Sequence, residues 1–304
     1  MEITNKLKNQ KSELLSYFRN RSDEIQSELD TQFSVKQIEK KAKAMNPMLI
    51  KTRNNLINTL LQKSKEESWS NTDILETILM ITYTSNIVML ESRNDIWSYE
   101  YMAFSRRVGE IWEPFCKLCF DYPVNDIKFF IPPLFSKVKE ELSSEIVDYI
   151  DKLTITEEQK VQLKKYYNQV WSYVTSGEIQ LELDLHFIYN RKKYVVDFKS
   201  GFGSNEKGNT NRLLLVASIY KNLKEEHNCL LFVRSATNNN YFNTLKNSSV
   251  WEAYSGQETY EQIHKYSGYD IANWIKNNID WEADIKNSTF THFKENDLVK
   301  YLDW

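Results

Sequence analysis

One stretch, residues 178 to 212, constrains the fold and chemistry of this chain more than any other. From 178 to 189 apolar and polar side chains alternate, which is typical of a half-buried strand. The two predicted faces hold Ile179, Leu181, Leu183, Leu185 and Phe187 on one side and Glu182, Asp184 and His186 on the other. A polar turn at 190–193 and a β-branched, aromatic segment at 194–199 indicate a returning strand. The pattern therefore predicts a hairpin with one charged face.

The charged face of this hairpin collects groups that suit metal-dependent hydrolysis. Asp197 and Lys199 lie two positions apart and point the same way, and Asp184 meets them if its face lies opposite. Two close carboxylates repel each other unless a cation lies between them, and their hard oxygens suit Mg²⁺, with Mn²⁺ expected to substitute. Such an ion lowers the pKa of a water and neutralises phosphate charge, while a nearby lysine orients or deprotonates the water. These groups are sufficient for phosphodiester hydrolysis.

Two short motifs carry a family resemblance. Leu183-Asp184-Leu185 and Asp197-Phe198-Lys199 resemble the acidic strand and the (D/E)xK strand of the PD-(D/E)xK nucleases, whose best known members are type II restriction endonucleases. The resemblance covers roughly residues 93 to 235, although Leu183 stands where the family motif has proline. It implies an α/β fold with a restriction-endonuclease-like core, a mixed β-sheet flanked by helices.

The resemblance also assigns roles to the residues of the hairpin. It implies that Asp184, Asp197 and Lys199 are catalytic, and that Asp184, Asp197 and the backbone carbonyl of Phe198 bind the metal. The competing interpretation is a half-solvated hairpin whose acids keep an edge strand soluble. The order hairpin, loop, helix and buried strand, with the helix at 213–223 and the strand at 229–233, favours the nuclease interpretation.

A helix upstream offers a further metal ligand. Its apolar stripe comprises Phe104, Val108, Ile111, Phe115 and Leu118. Glu110 and Glu113 lie on a different face, and the segment resembles the helix that precedes the catalytic sheet in the nuclease family, whose glutamate often helps to hold a metal. The resemblance favours Glu113, which follows Gly-x-x-Trp, with Glu110 as the alternative. The competing interpretation is an ion pair between Arg106 and Glu110.

The loop after Lys199 is predicted to approach DNA. It holds three of the chain's seven glycines, which let a backbone come close to a ligand. Amides and guanidinium groups read purine edges or hold phosphates. The predicted DNA-binding residues are Ser204, Asn205, Lys207, Asn209, Asn211 and Arg212. The competing interpretation is a solvated loop in which Asn209 or Thr210 caps the next helix.

The remaining sequence is predicted to be mainly helical. A helical N-terminal region at 1–92 would serve as a scaffold or dimerisation arm, and its apolar run at 74–90 is predicted to be a buried helix. A nuclease core at 93–240 would contain a helical insertion at about 123–174. A helical C-terminal region at 241–304 would pack its many aromatic side chains on the core.

Composition bounds the functional class. The 304 residues, 41% hydrophobic and 27% charged, suit a globular chain with a sizeable core. A net charge of -3 argues against nonspecific coating of nucleic acid but permits a local basic cleft. Three cysteines and no apolar leader predict the cytoplasm, and the family resemblance predicts a bacterial one. The lone CxxC at Cys116 and Cys119 is more typical of buried thiols than of a zinc site.

These features together predict a Mg²⁺-dependent endonuclease that cuts double-stranded DNA at a specific, palindromic sequence, as type II restriction enzymes do. A homodimer is expected because a two-fold enzyme presents one site to each strand, and a cognate DNA methyltransferase is implied. One alternative is a PD-(D/E)xK nuclease of DNA repair or anti-phage defence that recognises structure or modified bases. Another is a non-catalytic helical DNA-binding or scaffold protein.

Overall fold

The computed structural model describes residues 3–174, 179–203 and 205–304. Four long helices come first, and the first three lie where the sequence lacks glycine and is rich in good helix formers. They are α1 (Lys11–Gln32), α2 (Ile38–Glu66), α3 (Asn71–Ile96) and α4 (Tyr101–Asp121). The predicted large helical N-terminal region is therefore confirmed.

Helix α3 is the buried centre of this region. Its N-terminus is capped by Ser70, whose hydroxyl oxygen accepts a hydrogen bond from the Asp73 N–H at 3.1 Å. Among the described helices, α3 is long and apolar enough to cross a bilayer, but 83% of its most apolar window is covered by other parts of the protein. The buried helix predicted at 74–90 is therefore confirmed.

A five-stranded mixed sheet follows the helices. Its strands are β1 (Lys128–Phe129), β2 (Leu185–Tyr189), β3 (Lys192–Lys199), β4 (His227–Val233) and β5 (Glu252–Ser255), in the spatial order β1-β2-β3-β4-β5. Strands β1, β2 and β3 pair antiparallel, whereas β3, β4 and β5 pair parallel. The predicted hairpin thus lies inside the sheet, and β3 is the strand where the pairing changes sense.

The first strand of the hairpin is shorter than its sequence pattern predicts. Residue 178 lies outside the described residues, and the chain bends at Asp184, so β2 begins only at Leu185. Leu181 and Leu183 pack on the side of the sheet that faces Val195, whereas Leu185 and Phe187 pack on the opposite side. The prediction that these leucines share one face was wrong, because a bend resets the alternation that holds only within a continuous strand.

Two strands lie where helix was predicted. Strand β1 has two residues and lies inside the insertion, upstream of α5 (Phe135–Lys152) and α6 (Glu157–Val174). Strand β5 lies inside the C-terminal region, whose helices are α8 (Asn240–Lys246), α9 (Gln257–Ser267), α10 (Ile271–Asn278), α11 (Trp281–Asp284) and α12 (Asn287–Glu295). Both strands are short, and they exist because a distant strand pairs with them rather than because of local propensity.

The two faces of the sheet are covered differently. One face packs on the N-terminal helices, α4 and the C-terminal helices in a single large core. The other face packs on α7 (Lys207–Lys221), which crosses over from β3 to β4, and on α8. Cys116 and Cys119 are buried free thiols in α4, as predicted. The carboxyl end of β3 therefore lies between α4 on one face and α7 on the other.

Candidate active site

The hairpin register brings the two predicted aspartates together. Leu185 pairs with Val196, and the same antiparallel register continues to Asp184 and Asp197. The Asp184 carboxylate then turns to the neighbouring strand, where its Oδ2 accepts a hydrogen bond from the backbone N–H of Phe198 at 2.7 Å. This bond holds Asp184 against β3 although Asp184 itself precedes β2.

Asp197 is the most buried acid of the site, with 2% of its surface exposed. Lys199 lies two positions on, on the same side of β3, and its ammonium forms an ion pair with Asp197 Oδ2. That contact lacks hydrogen-bond geometry, so Asp197 Oδ2 accepts no hydrogen bond from any described residue. The Lys199 ammonium donates instead to the backbone carbonyl of Phe198 at 3.0 Å. One cation thus bridges two of the predicted metal ligands.

The electrostatics of these acids show that they share one field. Burial raises the pKa of Asp197, and repulsion by Asp184 raises it further, while Lys199 opposes the shift. Burial also raises the pKa of Glu113, followed by repulsion from Asp184. Glu113 on α4 is therefore within electrostatic reach of the hairpin acids, as a third carboxylate of the site would be.

The other candidate on α4 is engaged elsewhere. Glu110 accepts a hydrogen bond from Arg106 Nε at 2.7 Å and forms an ion pair with Arg107 at 2.9 Å. The structure thus brings Glu113 to the hairpin, whereas Glu110 makes the i,i+4 ion pair that was the competing interpretation.

A glycine allows α4 to approach the site. A Cβ placed on Gly109 would lie 2.9 Å from the Cβ of Ser200, the residue that follows Lys199. Gly109 and Glu113 are four residues apart and share a face of α4. Any larger residue at 109 would push the helix, and Glu113 with it, away from the end of β3.

The donor set fits a hard divalent cation. Among the described residues, no three His, Cys, Asp or Glu side chains are close enough to hold a metal by themselves. Asp184, Asp197 and the Phe198 carbonyl nevertheless converge, and Asp197 Oδ2 is a buried oxygen without a hydrogen bond. Mg²⁺ needs few protein ligands because it keeps several waters. Glu113 would join through such a water or after a small movement.

The predicted DNA-binding residues fall mostly on a helix rather than in a loop. Helix α7 begins at Lys207 instead of near residue 213, because the glycine-bearing loop is shorter than predicted. The members on the first turns of α7 are Lys207, Asn209, Asn211 and Arg212, while Asn205 lies in an exposed turn and Ser204 lies outside the described residues. The side chains of Asn209 and Thr210 do not cap this helix, since the N-cap position belongs to Glu206.

Arg212 has a place that its sequence context did not indicate. Its Nη2 lies 3.3 Å from Asp197 Oδ1, so it is directed into the acid cluster. Asn209 donates to Glu206 Oε2 at 3.0 Å, whereas Lys207 and Asn211 remain exposed. The signal that sequence analysis missed is the crossover: a helix that returns from β3 to a parallel β4 carries its first turns past the end of β3.

His186, predicted on the Asp184 face, is a buried histidine of the other kind. Its Nε2 accepts a hydrogen bond from the backbone N–H of Leu183 at 3.3 Å and lies 3.3 Å from the Tyr220 hydroxyl. Burial lowers its pKa. These contacts hold the bend before β2, so His186 positions the segment that carries Asp184.

A cleft adjoins the acid cluster at the carboxyl ends of β3, β4 and β5. It has a volume of about 720 Å³, and Ser200, Gly201, Arg234, Ser235 and Gly256 contribute to its wall. Ligands of sheets with parallel strands commonly bind at this edge. No protein-family model, no curated protein and no solved structure matches this chain significantly.

Proposed function

We propose that this protein is a Mg²⁺-dependent nuclease that hydrolyses phosphodiester bonds in double-stranded DNA, with the catalytic arrangement of the PD-(D/E)xK superfamily. The observation that carries the proposal is the convergence of Asp184, Asp197, the Phe198 carbonyl and Lys199 at the end of β3. Acids that only kept an edge strand soluble would be exposed, whereas Asp197 is buried in the middle of the sheet.

Each residue of the cluster has a role in this chemistry. A bound divalent ion supplies an acidified water and neutralises charge on the phosphate. Asp184 and Asp197 offer carboxylate oxygens, and the Phe198 N–H holds Asp184 in place. The Lys199 ammonium, once a cation takes over its contacts with Asp197 and the Phe198 carbonyl, is free to orient the attacking water or to neutralise the developing charge. Arg212 is placed to bind a phosphate oxygen.

The decisive experiment is cleavage of plasmid DNA with and without Mg²⁺. We expect nicking or linearisation only with the metal, and we expect Asp197→Ala and Lys199→Ala each to reduce the rate by at least about a hundredfold. Lys192→Ala is the matched control, since Lys192 is exposed at the opposite end of the same strand. Binding of DNA by Asp197→Ala should persist or tighten, because a negative charge near the phosphate is removed. Full activity in Asp197→Ala or Lys199→Ala would rule out this site.

Within this class we favour a type II restriction endonuclease of the bacterial cytoplasm that acts as a homodimer on a palindromic site and is accompanied by a cognate methyltransferase. Discrete fragments from several unmodified DNAs would support it.

The second candidate is a repair or anti-phage nuclease that recognises structure or modified bases. The polar cleft beside the acid cluster favours it, because a pocket of this kind suits a single nucleotide. Smeared products, or cleavage only of modified phage DNA, would select it. Absence of cleavage on every substrate would instead support a non-catalytic DNA-binding or scaffold protein.

A further inference from the structure

The cleft at the carboxyl ends of β3, β4 and β5 is continuous with the acid cluster. Ser200 follows Lys199 directly and lines the cleft. The backbone N–H of Arg234, which also lines it, donates to the Lys199 carbonyl at 2.9 Å. With a volume of about 720 Å³ it lies in the range of small-ligand sites, roughly 300–1,000 Å³, and is too small for a DNA duplex.

Helix α4 forms one edge of this path. Ser105 lines the cleft, Gly109 contacts Ser200, and Glu113 faces the hairpin acids. These residues are spaced four apart, so they lie on one face of the helix. At 1.5 Å per residue, Ser105 is about 12 Å from Glu113 along the helix axis. The same face therefore spans the site and a neighbouring subsite.

The cleft wall carries a cation that lacks a carboxylate partner. Arg234 Nη1 donates to the backbone carbonyls of Tyr301 at 2.5 Å and Asp303 at 3.0 Å, and its Nε is buried without a hydrogen-bond partner. Among the described residues Arg234 forms no ion pair, whereas Lys300 at the rim is paired with Asp297. The Asp303 side chain also lines the cleft. A guanidinium held in this way suits a phosphate oxygen.

Aromatic rings lie at the far end of the cleft. Tyr301 lines the cleft, and its ring centroid lies 5.7 Å from that of Tyr101. Tyr101 is 59% exposed, one helical turn before Ser105. No structural partner in the described chain covers its outer face, and tyrosine rings beside a positively charged groove are the platform on which unpaired bases stack.

We propose that this cleft binds an unpaired nucleotide next to the scissile phosphate, with Arg234 on a phosphate and Tyr301 and Tyr101 against the base. The inference rests on the proposed nuclease function and specifies its substrate class: DNA that presents an unpaired nucleotide at the cutting position. That nucleotide comes from a strand end or from a nucleotide flipped out of a duplex, which costs least at a mismatch or a damaged base.

Metal-free binding tests the cleft separately from catalysis. Fluorescence anisotropy in EDTA would compare three labelled DNAs of one sequence: a fully paired blunt duplex, a duplex with a single-stranded overhang, and a duplex with a central mismatch. Tyr101→Ala should weaken binding of an unpaired DNA about 5- to 100-fold and leave the blunt duplex unchanged. Tyr149→Ala is the control, because Tyr149 on α5 is similarly exposed, at 66%, and does not line the cleft.

A second variant examines the phosphate contact. Arg234→Gln should lower the slope of log affinity against log salt for single strands by about 0.7, the effect of losing one phosphate contact. If this variant does not fold, the Tyr101 comparison still decides.

Preference for the overhang identifies a strand end, and preference for the mismatch identifies a flipped nucleotide. Equal binding of all three DNAs, or no effect of Tyr101→Ala, overturns the cleft proposal. Plasmid cleavage in the presence of Mg²⁺ tests the nuclease independently, so either proposal can fail while the other stands.

Discussion

At the scale of single residues, the arrangement around Asp197 is costly without a cation. Its carboxylate is buried, it lies opposite a second aspartate, and one of its oxygens accepts no hydrogen bond. Lys199 and Arg212 contact it from two sides, yet burial still raises its pKa. An acid held in this state stabilises the folded protein less when charged than when protonated, and a divalent ion reverses that preference.

The first prediction follows from the raised pKa of Asp197. Because the folded protein holds this proton more tightly than the unfolded chain does, the free energy of unfolding should fall as pH rises above 3.8, the ordinary pKa of an aspartate. Asp197→Asn removes this contribution, so the metal-free variant should lose less stability than the wild type between pH 4 and 7. Urea titrations at several pH values in EDTA measure the difference. Parallel curves for the two proteins would contradict the argument.

The second prediction concerns Arg212, which sequence analysis placed among base-reading residues. Since its guanidinium is directed at Asp197, Arg212→Ala should slow cleavage while changing the affinity for preferred and random DNA equally. Lys207→Ala is the comparison, because this exposed lysine at the start of α7 would contact a phosphate and its loss should reduce the salt slope for duplex DNA by about 0.9. A loss of about 1–3 kcal/mol for the preferred sequence alone would restore the base-reading role of Arg212.

At the scale of elements, helix α4 is the part that completes the site. It packs against β3 at Gly109 and carries Glu113 to the acids while Glu110 pairs with arginines. The position of the third carboxylate therefore depends on how closely one helix approaches one strand.

A substitution at Gly109 tests this dependence. Ala normally stabilises a helix by up to about 1 kcal/mol relative to Gly, but here its Cβ would lie 2.9 Å from Ser200 Cβ. We expect Gly109→Ala to raise the Mg²⁺ concentration needed for cleavage, as Glu113→Ala should, and Glu110→Ala should not. Adding Ser200→Gly should restore the activity of Gly109→Ala, because it removes the atom that clashes.

Gly208 on α7 provides the control for that experiment. A Cβ there meets nothing within 4 Å, so Gly208→Ala should gain stability and keep its metal dependence. Activity titrated against Mg²⁺ and thermal unfolding of the same samples separate the two effects. An unchanged metal requirement in Gly109→Ala would show that the approach of α4 is not needed.

At the scale of the whole molecule, the N-terminal helices and the C-terminal helices share one core with the sheet. A buried ion pair connects them. Arg19 on α1 donates two hydrogen bonds to Glu91 on α3, at 2.6 and 3.0 Å, and the backbone N–H of Lys286 donates to the same carboxylate at 2.7 Å. Elements far apart in sequence therefore depend on each other for stability.

The prediction at this scale is a large loss of stability from a residue remote from the site. Arg19→Ala leaves the buried Glu91 carboxylate unpaired and should cost about 3–5 kcal/mol. Arg21→Ala on the same helix removes only an exposed pair with Glu24 and should cost less than about 1 kcal/mol. Thermal unfolding followed by circular dichroism should shift for Arg19→Ala, with DNA cleavage lost at the same temperature. Separate transitions for helices and activity would mean that the N-terminal region folds independently.

The sequence by itself determined the elements whose signals are local. Absence of glycine and a Ser70 cap determined the early helices, and alternation at 194–199 determined β3 with Asp197 and Lys199 on one side. The order hairpin, helix and buried strand was also readable, because each step has its own periodicity. The pairing of Asp184 with Asp197 followed from the short turn that joins their strands.

Only the tertiary structure decided the features that depend on contacts between distant segments. These are the bend at Asp184, the strand β5, the choice of Glu113 over Glu110, and the direction of Arg212 into the acids. The cleft lined by Ser105, Arg234 and Tyr301 belongs to the same group, since three separate segments form it. Local periodicity records how a residue faces its own element, whereas the packing of one element on another depends on shapes that no single stretch of sequence contains.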